Sequence, residues 1–260
     1  MLRLRVAIPL ANLRLPWKRA VQAAAELGAE AVEIDARRGI RPQDLSQTAL
    51  RDIRKALEDY HLKVSAVSFY TRRGYNVLND LDRRVEATKA ALQMAHKLGT
   101  NVVVNYVGRV PDDRQDPSWD LLLDTLRDLG DYGQRAGATL AARTGPESGE
   151  TLAALIDALP DGALAVDFDP GGLIVHGFSA REAVAALAGH VWMVHARDAV
   201  RDLAQGRGVE VPLGEGSVDF PEMLGILEES GYRGYFTVER ESSSKPLPDL
   251  RQAIQYLRGL

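Results

Sequence analysis

The chain has no cysteine among its 260 residues, and it has only five histidines. The absence of cysteine excludes disulfide bonds, thiolate nucleophiles and cysteine-ligated zinc. So few histidines also disfavour an apurinic endonuclease, because its active site, with three zinc ions, needs several histidine ligands. Lysine is scarce as well, with six lysines against 26 arginines.

Neither a strong positive charge nor a long apolar run is present. The 36 acidic and 32 basic residues give a net charge of −4. A mildly acidic chain is a poor general binder of nucleic acid or of anionic membranes. No apolar run approaches the roughly 20 residues that span a bilayer. The apolar stretch in Met1–Ile8 is too short for the apolar region of a secretory signal. The sequence therefore predicts a soluble cytoplasmic protein with no nucleic-acid or membrane partner.

What the chain does have is a repeated unit, a short β-branched apolar run followed by an amphipathic helical stretch. Eight such units fit an α/β fold, the (β/α)8 TIM barrel. No linker or composition shift divides the chain, so residues 1–260 are predicted to form a single domain. The longest irregular stretch is predicted at Ala199–Ser217, which includes Gly206. The predicted strands are Arg5–Leu10, Glu30–Asp35, Leu62–Ser68, Asn101–Tyr106, Ala138–Arg143, Leu164–Asp169, His190–His195 and Tyr235–Glu239. The predicted helices are Trp17–Leu27, Thr48–Tyr60, Asp82–Leu98, Trp119–Ala136, Gly149–Leu159, Ala180–Ala188, Phe220–Ser230 and Leu247–Leu257.

Local signals agree with these boundaries. Ser179 precedes a predicted helix with Glu182 three residues on, which is typical of an N-cap. The turn after the first strand, Pro9–Asn12, contains no glycine. This disfavours a doubly wound sheet, because the dinucleotide fingerprint needs a glycine-rich turn there.

Polar and apolar residues alternate at the ends of the predicted strands. Helices cover the apolar face, so the polar face is expected to point into the barrel mouth, where this architecture places its active sites. Six of the ten residues expected there are carboxylates, and like charges a few ångströms apart need a counter-charge. The set is Glu33, Asp35, Ser68, Asn105, Arg143, Asp167, Asp169, His195, Glu239 and Glu241. The cation could be a divalent metal with oxygen ligands and one imidazole, or Arg143, Arg197 or Arg201.

Five segments resemble the xylose isomerase-like TIM barrels, the sugar-phosphate isomerase and epimerase group. The most specific is a histidine followed three residues later by aspartate, then LGEGSVDF and a strand ending in glutamate. The segments are Ala138–Glu150, Val166–Gly177, Val194–Asp198, Val211–Phe220 and Gly231–Glu241.

The resemblance implies a site with one divalent metal, Mn²⁺, Mg²⁺, Zn²⁺ or Co²⁺, held by side chains of the last four barrel strands. Asp169, His195 and Glu239 match three of its four ligands. Glu239 would be the base, and His195 would stabilise the enediolate oxygen together with Arg201, which has the family spacing from His195. The predicted catalytic residues are Glu239, His195 and Arg143, and the predicted substrate-binding residues are Glu33, Asn105, His176, Arg197, Arg201 and Glu241.

Arg143 departs from the family pattern, because it stands where the family has a glutamate ligand. Gly172 is a second departure, at a position where the family often has histidine or asparagine. Replacing glutamate by arginine removes a ligand and a base and adds a permanent positive charge. Two hypotheses therefore remain. The first is a sugar or sugar-phosphate isomerase or epimerase with a divalent metal. The second is a non-catalytic or metal-independent barrel in which Arg143 replaces the metal and the pocket binds a small polar ligand. A homo-oligomer is compatible with either.

Overall fold

Eight parallel strands close into a barrel in a computed structural model, which describes residues 4–202 and 207–260. The barrel strands are β1 (Arg5–Pro9), β2 (Ala31–Asp35), β3 (Lys63–Ser68), β4 (Val102–Asn105), β5 (Thr139–Arg143), β6 (Ala165–Phe168), β7 (Val191–Ala196) and β10 (Tyr235–Val238). Neighbours around the barrel follow the order β1-β10-β7-β6-β5-β4-β3-β2. The predicted (β/α)8 barrel is confirmed. Residues 1–3, the start of the predicted N-terminal segment, and Gly206 of the predicted loop lie outside the described residues.

Helices follow the strands and cover the outside of the barrel. They are α1 (Trp17–Glu26), α2 (Gln47–Glu58), α3 (Leu81–Leu98), α4 (Pro117–Ala136), α5 (Gly149–Ile156), α6 (Pro170–Val175), α7 (Ala180–Leu187), α8 (Phe220–Glu229) and α9 (Pro246–Arg258). The predicted N-cap is confirmed, since Ser179 Oγ accepts a 3.2 Å hydrogen bond from the Glu182 amide. Gly137 ends α4 with φ at 78°, a conformation that glycine adopts at little cost. In the described part of the chain, no helix has the length and apolar character to cross a membrane.

The prediction of an irregular Ala199–Ser217 segment is wrong for much of its length. Strands β8 (Asp198–Asp202) and β9 (Arg207–Val211) pair antiparallel as a hairpin. The hairpin lies against α6, and a Cβ at Gly208 would come within 2.7 Å of the Val175 Cα. Glycine here therefore permits close packing of two backbones.

Apolar side chains, most of them small, fill the interior of the barrel below the mouth. An inner cluster, distinct from the core beneath the helices, includes Ala66, Ala141, Ala165 and Met193. Because side chains alternate along a strand, the next inward position after Ala141 on β5 is Arg143. The long polar residues thus lie above the small ones, towards the carboxyl ends of the strands.

Candidate active site

The carboxyl ends of β2, β5, β6, β7 and β10 bring five polar side chains together inside the barrel mouth. Each is at most 5 % exposed except Glu239, whose side chain is 8 % exposed. We call this group the mouth cluster, and it consists of Glu33, Arg143, Asp167, His195 and Glu239. Strand alternation predicted all five at this place.

Arg143 is the cation at the centre of the mouth cluster. Its Nε donates to Asp167 Oδ2 at 2.8 Å, and its Nη2 donates to Glu239 Oε2 at 3.0 Å. The guanidinium carbon lies 5.0 Å from the ring centre of Tyr70 and 6.0 Å from that of Tyr106. Such contacts between a guanidinium and aromatic rings are favourable when desolvated. Two carboxylates and two rings therefore hold Arg143 in place.

His195 lies between two carboxylates. Its Nδ1 is 2.6 Å from Asp167 Oδ1, and its Nε2 is 3.0 Å from Glu33 Oε2. Burial and the nearby Arg143 lower the pKa of His195, but Asp167 and Glu33 outweigh them and raise it to about 10. At neutral pH the ring is therefore a buried imidazolium.

The two carboxylates that bind Arg143 stay ionised. Burial raises the pKa of Glu239, but Arg143, His195 and Arg197 outweigh it, and the pKa falls to about 2. Asn12 Nδ2 also donates to Glu239, at 3.3 Å. Burial likewise raises the pKa of Asp167, yet His195 and Arg143 bring it below its usual range. Glu239 is consequently a weak base.

The three predicted metal ligands already have other partners. Asp169 Oδ2 accepts from Arg197 Nη1 at 2.7 Å, while its Oδ1 accepts from the Gly172 amide at the start of α6. Glu239 pairs with Arg143, and both ring nitrogens of His195 face carboxylates. Among residues 4–202 and 207–260, no group of three or more acidic or histidine side chains is arranged to hold a metal ion. As arranged, these donors do not fit the divalent cation that the family resemblance predicts.

Three further predicted substrate-binding residues lie near the mouth, but their polar groups are largely engaged. Asn105 accepts from the Thr71 amide and hydroxyl and donates to the Tyr75 hydroxyl at 2.6 Å. Arg197, besides Asp169, binds Glu210 of the hairpin at 3.1 Å and approaches Glu241 at 3.7 Å. Only Glu241, with its side chain 57 % exposed, faces solvent.

The structure does not bring His176 and Arg201 to the mouth cluster. His176 is exposed, and its Nδ1 lies 2.8 Å from the Gly172 carbonyl. Arg201 is exposed too and donates to the Gly177 carbonyl, in a groove lined by Phe178 and Val184. The expectation that they lie at the mouth is wrong, while their substrate contacts stay predictions. Because the chain enters a hairpin after β7, the spacing of Arg201 from His195 does not place Arg201 at the mouth.

Sequence reasoning missed four participants in the site. Tyr106 directly follows β4 and Tyr70 comes two residues after the end of β3, so their position near strand ends was the available signal. Asn12 follows β1 in the same way, in a short 3-10 turn. Glu210 carried no such signal, because β9 was not predicted.

Five buried polar atoms of the mouth lack a hydrogen-bond partner among the described residues. They are Glu33 Oε2, Tyr70 Oη, Arg143 Nη1, His195 Nε2 and Thr237 Oγ1. The close contact between Glu33 Oε2 and His195 Nε2 is an ion pair without hydrogen-bond alignment. Buried polar atoms are usually paired, so this concentration of unpaired donors and acceptors makes the mouth a candidate site for a polar ligand.

Asp198 organises the segment after β9. It is 1 % exposed, and its carboxylate accepts four amide hydrogen bonds of 2.9 to 3.1 Å. Two of these reach each carboxylate oxygen. The donors are the amides of Ala199, Gly214, Gly216 and Val218. One buried side chain thus fixes the return of the chain towards α8.

Asp198→Asn is expected to lower the free energy of unfolding by about 2 kcal/mol, because the new amide group faces two N–H donors. Urea denaturation measures the loss. Asp131→Asn is the matched control, since Asp131 is exposed on α4. A loss no larger than that of the control would contradict the anchoring role of Asp198.

Comparisons with known proteins agree with this architecture. Residues 21–260 match the family described as xylose isomerase-like TIM barrel. An inosose dehydratase of Geobacillus thermodenitrificans is 23 % identical over 239 residues, covering 79 % of each chain. An inosose dehydratase of Bacillus thuringiensis is 24 % identical over 234 residues, covering 78 % of this chain and 76 % of the relative.

Solved structures give the same result. A xylose isomerase domain protein from Planctomyces limnophilus superposes with a TM-score of 0.84 at 25 % identity, covering 92 % of this chain and 91 % of that one. A D-tagatose 3-epimerase-like protein gives a TM-score of 0.77 at 20 % identity, covering 98 % and 97 %, which bears on the fold alone. With the family profile matching nearly the whole chain, this protein belongs to the xylose isomerase-like TIM barrel family.

Proposed function

We propose that this protein is a metal-independent enzyme that moves a proton on a small sugar-like carbonyl compound, as an isomerase or epimerase. The observation that carries the proposal is Arg143, a buried guanidinium between Asp167 and Glu239 with Nη1 left unpartnered. The family resemblance expects a metal-binding glutamate at that position.

Arg143 would supply the electrostatic part of the reaction. Removal of a proton from the carbon next to a carbonyl places negative charge on the carbonyl oxygen. A fixed positive group in a water-excluded site stabilises such an oxyanion without reorganising. Nη1 is the guanidinium nitrogen free to donate to it. Because Tyr70 and Tyr106 pack against the buried guanidinium, a substrate reaches Nη1 only after one of those rings shifts.

Glu33 would remove the proton from the carbon next to the carbonyl, and the His195 imidazolium would return a proton to carbon. Transfer from the Glu33 carboxyl group to neutral His195 would then restore both residues to their starting states. Acid–base catalysis works best when the pKa of the group is near the operating pH, and Glu239, with a pKa of about 2, is far from it. Glu33 contacts His195 rather than Arg143, and we assign it the role of base. The His195 imidazolium is the proton donor within 3.0 Å of it. Glu239 then fixes Arg143, instead of serving as the base expected from the sequence.

Dehydration is the second candidate, since the sequence relatives include inosose dehydratases. Loss of a proton next to a carbonyl begins both an epimerisation and an elimination of water. The same residues could therefore begin an epimerisation or a dehydration, and the structure of the substrate would decide which reaction follows.

Deuterium exchange tests the proposal. The protein is incubated in D₂O with a panel of keto sugars and inososes in the presence of EDTA, and NMR follows exchange at the carbon beside the carbonyl. We expect exchange with at least one substrate, insensitive to EDTA and reduced at least about 100-fold by Glu33→Gln. Arg143→Lys keeps the positive charge but loses the planar set of guanidinium N–H donors, and it should retain more exchange than Arg143→Met.

Two results would count against this function. Exchange that needs added metal and stops with EDTA would support the metal-dependent isomerase or epimerase instead. Saturable binding of a substrate with no exchange and no product would instead support the ligand-binding alternative.

A further inference from the structure

A cavity with six arginines in its lining lies beside the mouth. It has a volume of about 650 Å³ and is bordered by the segments after β2 and β3 and by the first turns of α3. We call it the arginine cavity, lined by Arg37, Arg41, Arg72, Arg73, Arg83 and Arg84. One acidic side chain, Asp80, also lines it.

Three of the six arginines have structural partners. Arg84 donates to the carbonyls of Gly74, Val77 and Asn79, which fixes the loop before α3. Arg41 pairs with Asp44 at 2.7 Å.

Arg37 is the third, and its Nη1 donates to the Tyr70 carbonyl at 2.5 Å. The Tyr70 ring lies on the other side, against Arg143. The main chain around Tyr70 thus separates the arginine cavity from the mouth cluster, and Arg143 does not line the cavity.

The other three arginines have no hydrogen-bond or ion-pair partner in the described part of the chain. They are Arg72, Arg73 and Arg83, all exposed. Three guanidinium groups around one cavity repel each other, and a bound anion would remove that cost. Each guanidinium offers a fork of N–H donors that matches phosphate oxygens bidentately. The first turn of α3 adds its positive dipole end to the same cavity.

We propose that the arginine cavity binds the phosphate group of a small soluble molecule through Arg72, Arg73 and Arg83. This site is separate from the proton-transfer site, so it goes beyond the function proposed above and does not depend on it. The size of the cavity admits a phosphate with an attached sugar-sized group. Phe69 and Thr71 line the arginine cavity, whereas Tyr70 between them packs against Arg143 of the mouth cluster. The segment after β3 therefore borders both sites.

Calorimetric titration at low ionic strength tests the site with three probes: inorganic phosphate, a hexose phosphate and the corresponding free hexose. The test variant combines Arg72→Ala, Arg73→Ala and Arg83→Ala. Its matched control combines Arg19→Ala, Arg135→Ala and Arg251→Ala, which removes the same charge from exposed helix positions. We expect both phosphates to bind the wild type and the control, and the test variant to bind at least about tenfold more weakly. The free hexose should show no change in binding between the two variants.

Three outcomes would overturn the proposal. One is that the wild type binds neither phosphate. Another is that the test and control variants lose affinity equally, which would make the effect one of net charge. The last is preferential binding of a short single-stranded oligonucleotide that only the test variant loses, since the arginines would then recognise a nucleic-acid backbone. Phosphate binding is measured without turnover and proton transfer is measured by deuterium exchange, so failure of this proposal is separable from failure of the proposed proton transfer.

Discussion

Arg143→Met is expected to lower the free energy of unfolding by about 3–5 kcal/mol, because it leaves buried carboxylates without their counter-charge. Asp167 and Glu239 would lose hydrogen bonds of 2.8 and 3.0 Å in a site that water barely reaches. Methionine has a similar length and is apolar, so the change removes the charge while keeping much of the volume. Chemical denaturation at neutral pH measures the loss.

The double variant Arg143→Met with Glu239→Gln separates charge from packing. Neutralising one of the stranded carboxylates should recover part of the lost stability, so the double variant should be more stable than the sum of the two single changes predicts. Arg19→Met, at an exposed position on α1, is the control and should change stability little. Additive losses, or a loss below about 1 kcal/mol for Arg143→Met, would show that the buried pairs do not hold the mouth together.

Alkaline pH is expected to remove a second large contribution to stability, through His195. Its pKa rises from 6.5 to about 10 in the folded protein. Because the folded state binds the proton more tightly, this contribution is fully present below pH 6.5 and is lost as the pH rises through 10. The shift corresponds to a contribution on the order of 5 kcal/mol.

Denaturation curves between pH 6 and 10 measure this contribution as the difference between the wild type and His195→Gln. The groups facing the ring are Asp167, Glu33, Glu239 and Arg143, and the three carboxylates stay in place in the variant. We expect the stability advantage of the wild type to shrink across this range. His96→Gln is the control, because His96 is exposed on α3 and should give a curve parallel to the wild type. A parallel curve for His195→Gln would contradict a buried imidazolium.

Much of the fold could be predicted because it depends on local periodicity. Each barrel strand is a short run of mostly apolar residues, and the covering helices have amphipathic faces, so the eightfold repeat is visible in the sequence. The hairpin of β8 and β9 was missed because glycines at positions such as Gly208 resemble loop residues, although here they allow close backbone packing. The six-residue helix α6 is too short to show a helical period.

The members of the mouth cluster could also be predicted, whereas their pairing could not. Strand alternation places Arg143, Asp167 and His195 on inward faces, but it does not say which atoms meet. Asp167 was expected at the mouth without a stated partner, and it binds both Arg143 and His195. The position of Arg201 was predicted from its spacing in the family resemblance. The chain turns into the β8–β9 hairpin after β7, so this spacing does not place Arg201 at the mouth.

The pairing matters because arginine side chains, rather than a metal ion, balance the negative charges of the expected ligands. With Arg143 on Glu239 and Arg197 on Asp169, two of the three expected ligands are neutralised by arginine. A divalent cation would have to displace both guanidinium groups and enter beside the protonated His195. Arginine keeps its proton throughout the accessible pH range, so the positive charge is permanent.

Metal content and Mn²⁺ titration test most directly whether Arg143 takes the place of a cation. Protein purified without chelator is assayed for metal, and its melting temperature is followed as Mn²⁺ is added, because a ligand bound to the folded state raises it. We predict no stoichiometric metal and no specific shift for the wild type, and a Mn²⁺-dependent rise in melting temperature for Arg143→Glu. Stoichiometric metal in the wild type, lost on Asp169→Asn or His195→Gln, would contradict the account.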